Sequence, residues 1–257
     1  MTGQGDEASG TSSDTSQPRG GPSNRALAIL AVIVVLAGGF AILAPHLRAS
    51  ASQPTVLRAT GIPTDISTQT AALMGLTPVP AKRAPGFVLT DQHAATMSIA
   101  AFRGKAVVLE FMDPHCTDIC PIVSQEFVDA NRYLGPTASK VAFVAVNVNQ
   151  YHNSVAAMSS YSQAHLLDTI PSWHFFTGAV PALKSVWRAY GVDVQAPNPN
   201  ADIIHTSVVY FIDAKGHERY AAFPLAEHTA AGTAFLPASQ VTAWGHGIAL
   251  LAGQLSR

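Results

Sequence analysis

The run of residues 141–148, VAFVAVNV, restricts the fold more than any other segment because it is apolar at nearly every position. A strand with one exposed face alternates apolar and polar side chains, whereas a strand covered on both faces does not. The predicted strands are residues 87–90, 96–99, 107–112, 141–148, 173–176, 203–212 and 218–223, and the predicted helices are residues 121–134, 154–165, 180–190 and 239–256. This alternation predicts an α/β sandwich with a mixed central sheet.

The amino-terminal part divides into segments of different composition. Residues 1–24 are rich in Gly, Ser and Thr and lack aromatic side chains, so we predict a disordered cytoplasmic tail. Residues 26–44 carry no charge. As a helix with a rise of ~1.5 Å per residue they would extend about 28 Å, close to the thickness of a bilayer core. We therefore predict a transmembrane anchor over residues 25–47.

A cleaved signal peptide is the alternative for this apolar segment, since small residues follow it at Ala49, Ser50 and Ala51. The apolar part of a signal peptide usually has ~7–15 residues, which favours a retained anchor. A short tail, one span and a large domain indicate a single-pass protein of the cell membrane, with its carboxyl-terminal domain on the extracytoplasmic side. In an oxidising compartment, a pair of cysteines would be redox-active.

Residues 48–80 are rich in Ala, Thr, Ser and Pro and are predicted to form a flexible stalk, with a short helix near residues 68–74. The globular domain is predicted to cover residues 81–257. Charged residues make up 12% of the chain and its net charge is -1, without a run of Lys or Arg. Nucleic-acid binding is therefore not expected, because it needs clustered cations to face the phosphates.

Cys116 and Cys120 are the two cysteines of the chain, a number that excludes a disulfide-rich scaffold and an all-cysteine zinc site. They lie in HCTDICP (residues 115–121), directly after a predicted buried strand and at the start of a predicted helix. A helix amino terminus lowers the pKa of a cysteine and favours the thiolate. A structural disulfide and two buried thiols are the alternatives without chemistry, but so short a loop would stabilise the fold little.

The spacing of the two cysteines allows two kinds of chemistry. On a helix, residues i and i+4 have Cβ atoms ~5–6 Å apart, whereas a disulfide needs ~3.8 Å. Two thiolates on one metal ion need sulfur atoms about 4 Å apart. The pair can therefore bracket an ion with little strain, or close to a disulfide if the first turn distorts. Soft thiolates select Cu(I), and one imidazole would complete a trigonal site.

Several segments, in their order along the chain, resemble the SCO/SenC family of thioredoxin-fold proteins. The motif CTDICP (residues 116–121) and the later segment IHTSVVYFID (residues 204–213) carry most of the resemblance. Further matches are GFVLTD (residues 86–91), the strand after Gly104 and Lys105, SWHFFTG (residues 172–178) and YGV (residues 190–192). The resemblance covers residues 85–252 and implies a thioredoxin-like sandwich.

The resemblance also implies a function and a set of site residues. Family members bind copper through two cysteines and one histidine and help to metallate the Cu(A) centre of cytochrome c oxidase, whereas some act as thiol–disulfide reductants for that centre. Carried over to this chain, the ligands of one Cu(I) or Cu(II) ion are Cys116, Cys120 and His205, and the partner is the Cu(A) subunit. The cysteines are also the redox-active pair. Asp118 matches the acidic residue inside the family motif and either tunes the loop or is a solvated surface charge.

The chain departs from the family pattern at two places. Thr117 stands where the family usually has a proline after the first cysteine. The segment NVNQYHN (residues 147–153) replaces an Asp-Pro-Glu-Arg-Asp run, which puts in doubt any partner contact made by that run. Residues 224–237 are expected to form a variable loop rather than a lid or a docking surface.

His205 is a candidate ligand because of the resemblance, since a single histidine at a strand start is usually structural. Thioredoxin-like oxidoreductases place a cis-proline at the equivalent position, and here no proline follows before Pro224, which favours a ligand. His115 is the next candidate, as a fourth ligand or as a base for the thiol. The remaining histidines show no ligand spacing.

Two alternatives to a copper chaperone stay open. One is a thiol–disulfide oxidoreductase, in which Cys116 attacks and Cys120 resolves the mixed disulfide; the other is a redox or copper sensor. A peroxiredoxin is not expected, because Leu109 and Asp113 occupy the positions of its proline and its threonine or serine. A Walker A loop, a glycine-rich dinucleotide fingerprint and a Gly-x-Ser-x-Gly elbow are absent from the sequence.

Overall fold

The computed structural model describes residues 60–257. The predicted tail, the transmembrane anchor and the first part of the stalk, residues 1–59, lie outside the described residues. Across residues 60–257, none of the helices combines the length and the apolar character needed to cross a membrane.

The regular elements follow the predicted order closely. The α-helices of the described part are α1 (Thr68–Leu73), α2 (Ile119–Leu134), α3 (Val155–Ala164), α4 (Val180–Ala189) and α5 (Ala238–Leu255). Its strands are β1 (Thr77–Arg83), β2 (Val88–Thr90), β3 (Thr96–Ser98), β4 (Ala106–Met112), β5 (Val141–Asn147), β6 (Trp173–Phe176), β7 (Val194–Gln195), β8 (Ile204–His205), β9 (Val209–Ile212), β10 (His217–Ala222), β11 (Glu227–His228) and β12 (Ala234–Phe235). The short helix predicted near residues 68–74 corresponds to α1.

Six strands form the main sheet in the order β1-β10-β9-β4-β5-β6. β5 runs parallel to β4 and β6, whereas β9, β10 and β1 add antiparallel strands on the other side of β4. This confirms the predicted α/β class with a mixed central sheet. The register pairs Met112 at the end of β4 with Asn147 at the end of β5, so both strands deliver the following loops to the same edge.

The centre of the sheet is buried because β4 and β5 are covered on both faces. All seven positions of each strand are buried, as the continuous apolar run predicted. Val108 points into an apolar cluster with α2 and α5, and its neighbour Leu109 points into a second cluster with α4. Each fully buried aliphatic side chain contributes roughly 1.5–3 kcal/mol. The strands that carry the site therefore lie in the buried centre of the domain.

Residues 60–80 belong to the folded domain, whereas the sequence pattern assigned them to a flexible stalk. Ile66 and Met74 are fully buried, and β1 pairs with β10 at the edge of the main sheet. The domain therefore starts before the boundary expected at residue 81, which falls inside β1. The proline content misled the prediction because an edge strand tolerates proline, and the pairing of β1 shifts between Pro78 and Lys82.

The strand predicted over residues 203–212 is divided into two strands. β8 pairs with β7, whereas β9 enters the main sheet beside β4. The division falls after His205, where the Thr206 N–H donates to the Asp193 carbonyl and the Thr206 hydroxyl accepts from the Asp193 N–H. These local bonds hold the chain outside the main sheet, and His205 with it.

Candidate metal centre

The two cysteines lie at the carboxyl edge of the sheet, between β4 and α2. Because α2 begins at Ile119, Cys116 lies in the connecting loop and Cys120 lies in the first turn of the helix. Cys116 is partly exposed, whereas Cys120 is 2% exposed, and both are free thiols. The helical i and i+4 geometry considered from the sequence is therefore not the one that relates the two side chains.

Cys116 is the more acidic of the two thiols. The Cys120 N–H donates to Cys116 Sγ at 3.5 Å. The Cys120 side chain, hydrogen-bonded to the Cys116 sulfur, is the main cause that lowers the pKa of Cys116 to about 7, and the backbone N–H groups of Cys120 and Asp118 add to it. The same contact, together with burial, raises the pKa of Cys120 well above 9.0. At neutral pH a partly exposed thiol that is about half ionised thus lies beside a buried neutral thiol.

Asp113, the residue after β4, holds the cysteine loop in place. Its carboxylate accepts from the His115 N–H at 2.8 Å and from the Asn149 side-chain amide at 2.9 Å, and its carbonyl accepts from the Cys116 N–H at 3.1 Å. Asn149 is held in turn by Asn147, whose Oδ1 accepts the Asn149 N–H at 2.8 Å. The sequence pattern did not predict these supporting residues. Their position could have indicated them, because they follow the carboxyl ends of two parallel strands, where ligand-binding sites of such sheets usually lie.

His205 presents a neutral imidazole. Its Nδ1 lies 3.0 Å from the carbonyl oxygen of Thr206. Since a carbonyl oxygen only accepts, Nδ1 carries the hydrogen and Nε2 keeps its lone pair. Burial lowers the pKa of His205, so the ring is mostly uncharged at neutral pH. A neutral imidazole whose other nitrogen donates to a carbonyl is the form in which histidine binds metal ions.

Cys116 and His205 line one groove of about 760 Å³. The cysteine loop forms one wall and the chain around β8 forms another. Residues 231–234, at the tip of the β11–β12 hairpin, complete the lining. The groove is large enough to admit a metal ion together with a segment of another molecule.

The β11–β12 hairpin lines the groove with residues 231–234, and the expectation of a variable loop over residues 224–237 stays a prediction. His228 Nε2 lies 3.0 Å from Asp118 Oδ1, which ties the hairpin to the cysteine loop. Asp118 is therefore an exposed charge with a defined partner. Pairing between distant segments of this kind leaves no periodic signal in the sequence.

The three predicted ligands are not gathered into one cluster. Nowhere in residues 60–257 do three side chains of the His, Cys, Asp and Glu types stand together as a group that could hold a metal ion. Cys116 and Cys120 are in contact, and His205 lines the same groove as Cys116. Two sulfur donors and a neutral imidazole nevertheless form a donor set suited to copper.

His115 also lines the groove, and its ring stacks on the ring of His152 with a centroid distance of 3.7 Å. This contact places an aromatic wall beside Cys116. The roles considered for His115 from the sequence, a fourth ligand or a base for the thiol, stay predictions.

Comparison with known proteins relates this site to one family. The family profile described as SCO1/SenC matches residues 77–232, which include both cysteines and His205. The mitochondrial SCO2 homolog of Bos taurus is 30% identical over 136 residues, which cover 51% of this chain and 50% of that protein. The SCO1 protein homolog of Bacillus subtilis is 19% identical over 132 residues, 51% of this chain and 68% of that protein. The chain thus spans about half the length of the mammalian relative.

Solved structures share the fold. The structure of Bradyrhizobium japonicum ScoI with copper bound has a TM-score of 0.52 and 21% identity, covering 68% of this chain and 99% of that chain. Apo Sco1 from Thermus thermophilus has a TM-score of 0.53 and 20% identity, covering 69% and 94%. These likenesses establish a mixed α/β fold of the Sco type.

Proposed function

This chain belongs to the SCO1/SenC family, and on that premise we propose that it is a copper chaperone. It holds one copper ion as cargo at Cys116, Cys120 and His205 and delivers the ion to the Cu(A) subunit of cytochrome c oxidase during assembly. One observation carries this proposal: an acidic thiol touches a buried thiol and shares its groove with a neutral imidazole.

Capture of the ion begins at Cys116. With a pKa of about 7, this side chain is a thiolate in about half of the molecules at pH 7. It lines the groove, so an incoming cation meets a soft anionic donor first. Cys120 binds second, because its buried thiol must first release its proton to solvent.

Completion of the site requires the segment that carries His205 to move toward the two sulfur atoms. This segment pairs through β7 and β8, which are two-residue strands outside the main sheet, and through the two hydrogen bonds between Thr206 and Asp193. Few ladder hydrogen bonds therefore oppose its movement. Release reverses the order, because a neutral imidazole leaves Cu(I) more easily than a thiolate. Cysteines of the recipient displace His205 first and the two thiolates afterwards.

The proposal extends to the location of the protein. Residues 25–47 anchor it in the cell membrane, residues 1–24 form a cytoplasmic tail, and the folded domain faces the extracytoplasmic side. The uncharged run of residues 26–44 supports this arrangement because its length matches a bilayer core. An oxidising compartment would make the state of the cysteine pair a control point for copper loading.

An anaerobic Cu(I) titration of the reduced full-length protein tests the proposal. The expected result is one tight equivalent that Cys116→Ser and His205→Ala both weaken. Cys116→Ser should lower the affinity by at least about a hundredfold, since loss of a residue that merely supports a ligand costs about 10–100-fold. His246→Ala is the matched control, because this exposed histidine stacks on Tyr133 away from the groove. Absence of a stoichiometric equivalent, or binding indifferent to His205, contradicts the proposal.

A thiol–disulfide oxidoreductase is the second candidate, favoured by the contrast between the two thiols. The Cys116 thiolate attacks a substrate disulfide, which forms a mixed disulfide and releases one substrate thiol. Cys120 then loses its proton and attacks Cys116, which releases the second substrate thiol and leaves the pair oxidised. His205→Ala separates the two candidates: copper binding collapses under the first, whereas reductase turnover survives under the second.

A further inference from the structure

A second pocket lies at the opposite end of β4 from the cysteines. It has a volume of about 190 Å³ and is bounded by the residues before β4, the end of β1 and the turn between β9 and β10. β4 has seven residues, so at ~3.3 Å per residue its two ends are about 20 Å apart. The pocket is separate from the cysteine groove, and an inference from it goes beyond the proposed function.

Positive charge surrounds this pocket. Arg83, Arg103 and Lys105 line it, and within residues 60–257 no ion pair includes any of these three side chains. One carboxylate, Asp213, also lines the pocket, but it forms an ion pair with Arg219, whose Nη1 lies 3.2 Å from Asp213 Oδ2. Three cations therefore face the same small space without a carboxylate partner.

Arg103 is held in position by the turn between β9 and β10. Its Nη1 donates to the carbonyl oxygen of Lys215. Its guanidinium lies over Gly216, where a Cβ atom would come within 2.6 Å of Arg103 Cζ. Gly216 has a φ of +78°, so the glycine both permits the turn and leaves room for the guanidinium. A fixed guanidinium with further N–H donors meets an anion at a low entropic cost.

The floor of the pocket is apolar, formed by Ile99, Phe102, Val107 and Ile212, all buried. Cations at the rim and apolar side chains below suit an anionic group attached to an apolar body. The volume of about 190 Å³ is smaller than the ~300–1,000 Å³ of sites for drug-sized ligands. The pocket is therefore matched to a small head group.

We propose that this pocket binds a phosphate group, carried by a lipid head group or by a soluble phosphate compound. Two guanidinium groups can each donate paired N–H bonds to phosphate oxygens, and the Lys105 ammonium adds a point charge. A phosphate monoester carries about −1.5 to −2 at neutral pH, which the three cations at the rim offset. A carboxylate offers one charge and two oxygens to the same three cations.

Isothermal titration calorimetry of the full chain in neutral detergent micelles tests this proposal. The probes are inorganic phosphate, a short-chain phosphatidate, and phosphatidylcholine of the same chain length, whose phosphate is offset by choline. The double variant Arg83→Ala, Lys105→Ala should weaken phosphate binding at least about tenfold, since it removes two charged partners. Lys184→Ala, Arg188→Ala is the matched control, because it removes equal charge from exposed positions of α4. It should change the affinity less than about twofold.

The arms of this experiment distinguish the sources of the phosphate. Phosphatidate binding tighter than inorganic phosphate assigns the pocket to a lipid head group, and the reverse or equal affinity assigns it to a soluble phosphate compound. The proposal is overturned if neither probe binds, if phosphatidylcholine binds as tightly as phosphatidate, or if both double variants weaken binding equally. The Cu(I) titration reports on the other end of β4, so either proposal can fail without the other.

Discussion

The two ends of β4 carry opposite chemistry. At the carboxyl end, the Cys116 thiol and the neutral imidazole of His205 line the groove with the carboxylates of Asp113, Asp118 and Asp202. At the amino end, two guanidinium groups and an ammonium surround a small apolar pocket. A single buried strand thus separates a site suited to a soft cation from a site suited to an anion by about 20 Å.

The two ends also differ in what holds them in place. Side chains fix the cysteine loop, because the Asp113 carboxylate accepts hydrogen bonds from the Asn149 side-chain amide and from the His115 N–H. Backbone groups fix the other end. The Arg103 guanidinium donates to the carbonyl oxygen of Lys215 and packs against Gly216, which has no side chain. The charge of the thiol end changes near neutral pH, because the pKa of Cys116 is about 7.

Gly216→Ala should have the largest effect on this comparison. The alanine would have to keep the left-handed φ of Gly216, and its Cβ atom would clash with the Arg103 side chain. We therefore expect the free energy of unfolding to fall by about 1–3 kcal/mol. Urea denaturation measures that loss, and calorimetry with phosphate should show weaker binding while the Cu(I) affinity is unchanged. Gly191→Ala is the control, because its φ is +69° but nothing lies within 4 Å of its added Cβ. Equal phosphate affinity in both variants would contradict the role given to Arg103.

Cys120→Ala sharpens the comparison from the thiol end. It removes the side chain that is the main cause of the lowered pKa of Cys116, so the pKa should move from about 7 toward 9.0. A rise of about one unit, or about 1.4 kcal/mol, reduces the thiolate fraction at pH 7 about fivefold. The rate of iodoacetamide alkylation between pH 5 and 10 measures the change: it rises with pH through the pKa and levels off above it.

The substituted protein retains Cys116 as its single cysteine, so the alkylation profile belongs to one thiol. Cys120→Ser restores a hydroxyl donor and should give a midpoint between those of the wild type and Cys120→Ala. If the midpoint of the alkylation profile stays near pH 7 in Cys120→Ala, the contact with Cys120 is not the cause of the lowered pKa of Cys116. Phosphate binding at the other end of β4 should be the same in all three proteins.

Asp118→Ala should have the smallest effect. Asp118 and His228 have side chains 57% and 48% exposed, and an exposed pair of this kind contributes about 0–1 kcal/mol. We expect faster amide hydrogen exchange in the hairpin, residues 227–235, with unchanged exchange in β4. His228→Ala should reproduce the effect, and the double variant should exceed neither single variant. Additive effects of the two substitutions would show that the pair does not tie the hairpin to the cysteine loop.

Periodicity predicted the buried centre of the fold and failed at its edges. The run of residues 141–148 predicted a strand covered on both faces, and β5 is buried throughout, because a strand buried on two faces is apolar at nearly every position. β1 went unpredicted because it is an edge strand that is exposed at most positions and accepts prolines where its pairing is irregular. The strand predicted over residues 203–212 is divided because hydrogen bonds to Asp193, which is 13 residues away in the chain, hold Thr206 outside the sheet.

The candidate site divides in the same way. The spacing of Cys116 and Cys120, and their place between a strand and a helix, were sufficient to predict the thiol pair and a lowered pKa. Asn149 and the hairpin at residues 227–235 could not be predicted, because their contacts with the cysteine loop join segments 36 or more residues apart in the chain. Short-range sequence patterns predict helices and strands, because their buried side chains recur every few residues. They do not predict single hydrogen bonds between distant segments.

The sequence by itself determined the α/β class, the thiol pair and the apolar run of residues 26–44, since each depends on residues close together in the chain. The tertiary structure decided which thiol is acidic, because that depends on the burial of Cys120 and its bond to the Cys116 sulfur. It also brought His205 to the groove of Cys116 and gathered the cations at the far end of β4. The physical reason is that charge and burial act through space, over distances that only the folded chain defines.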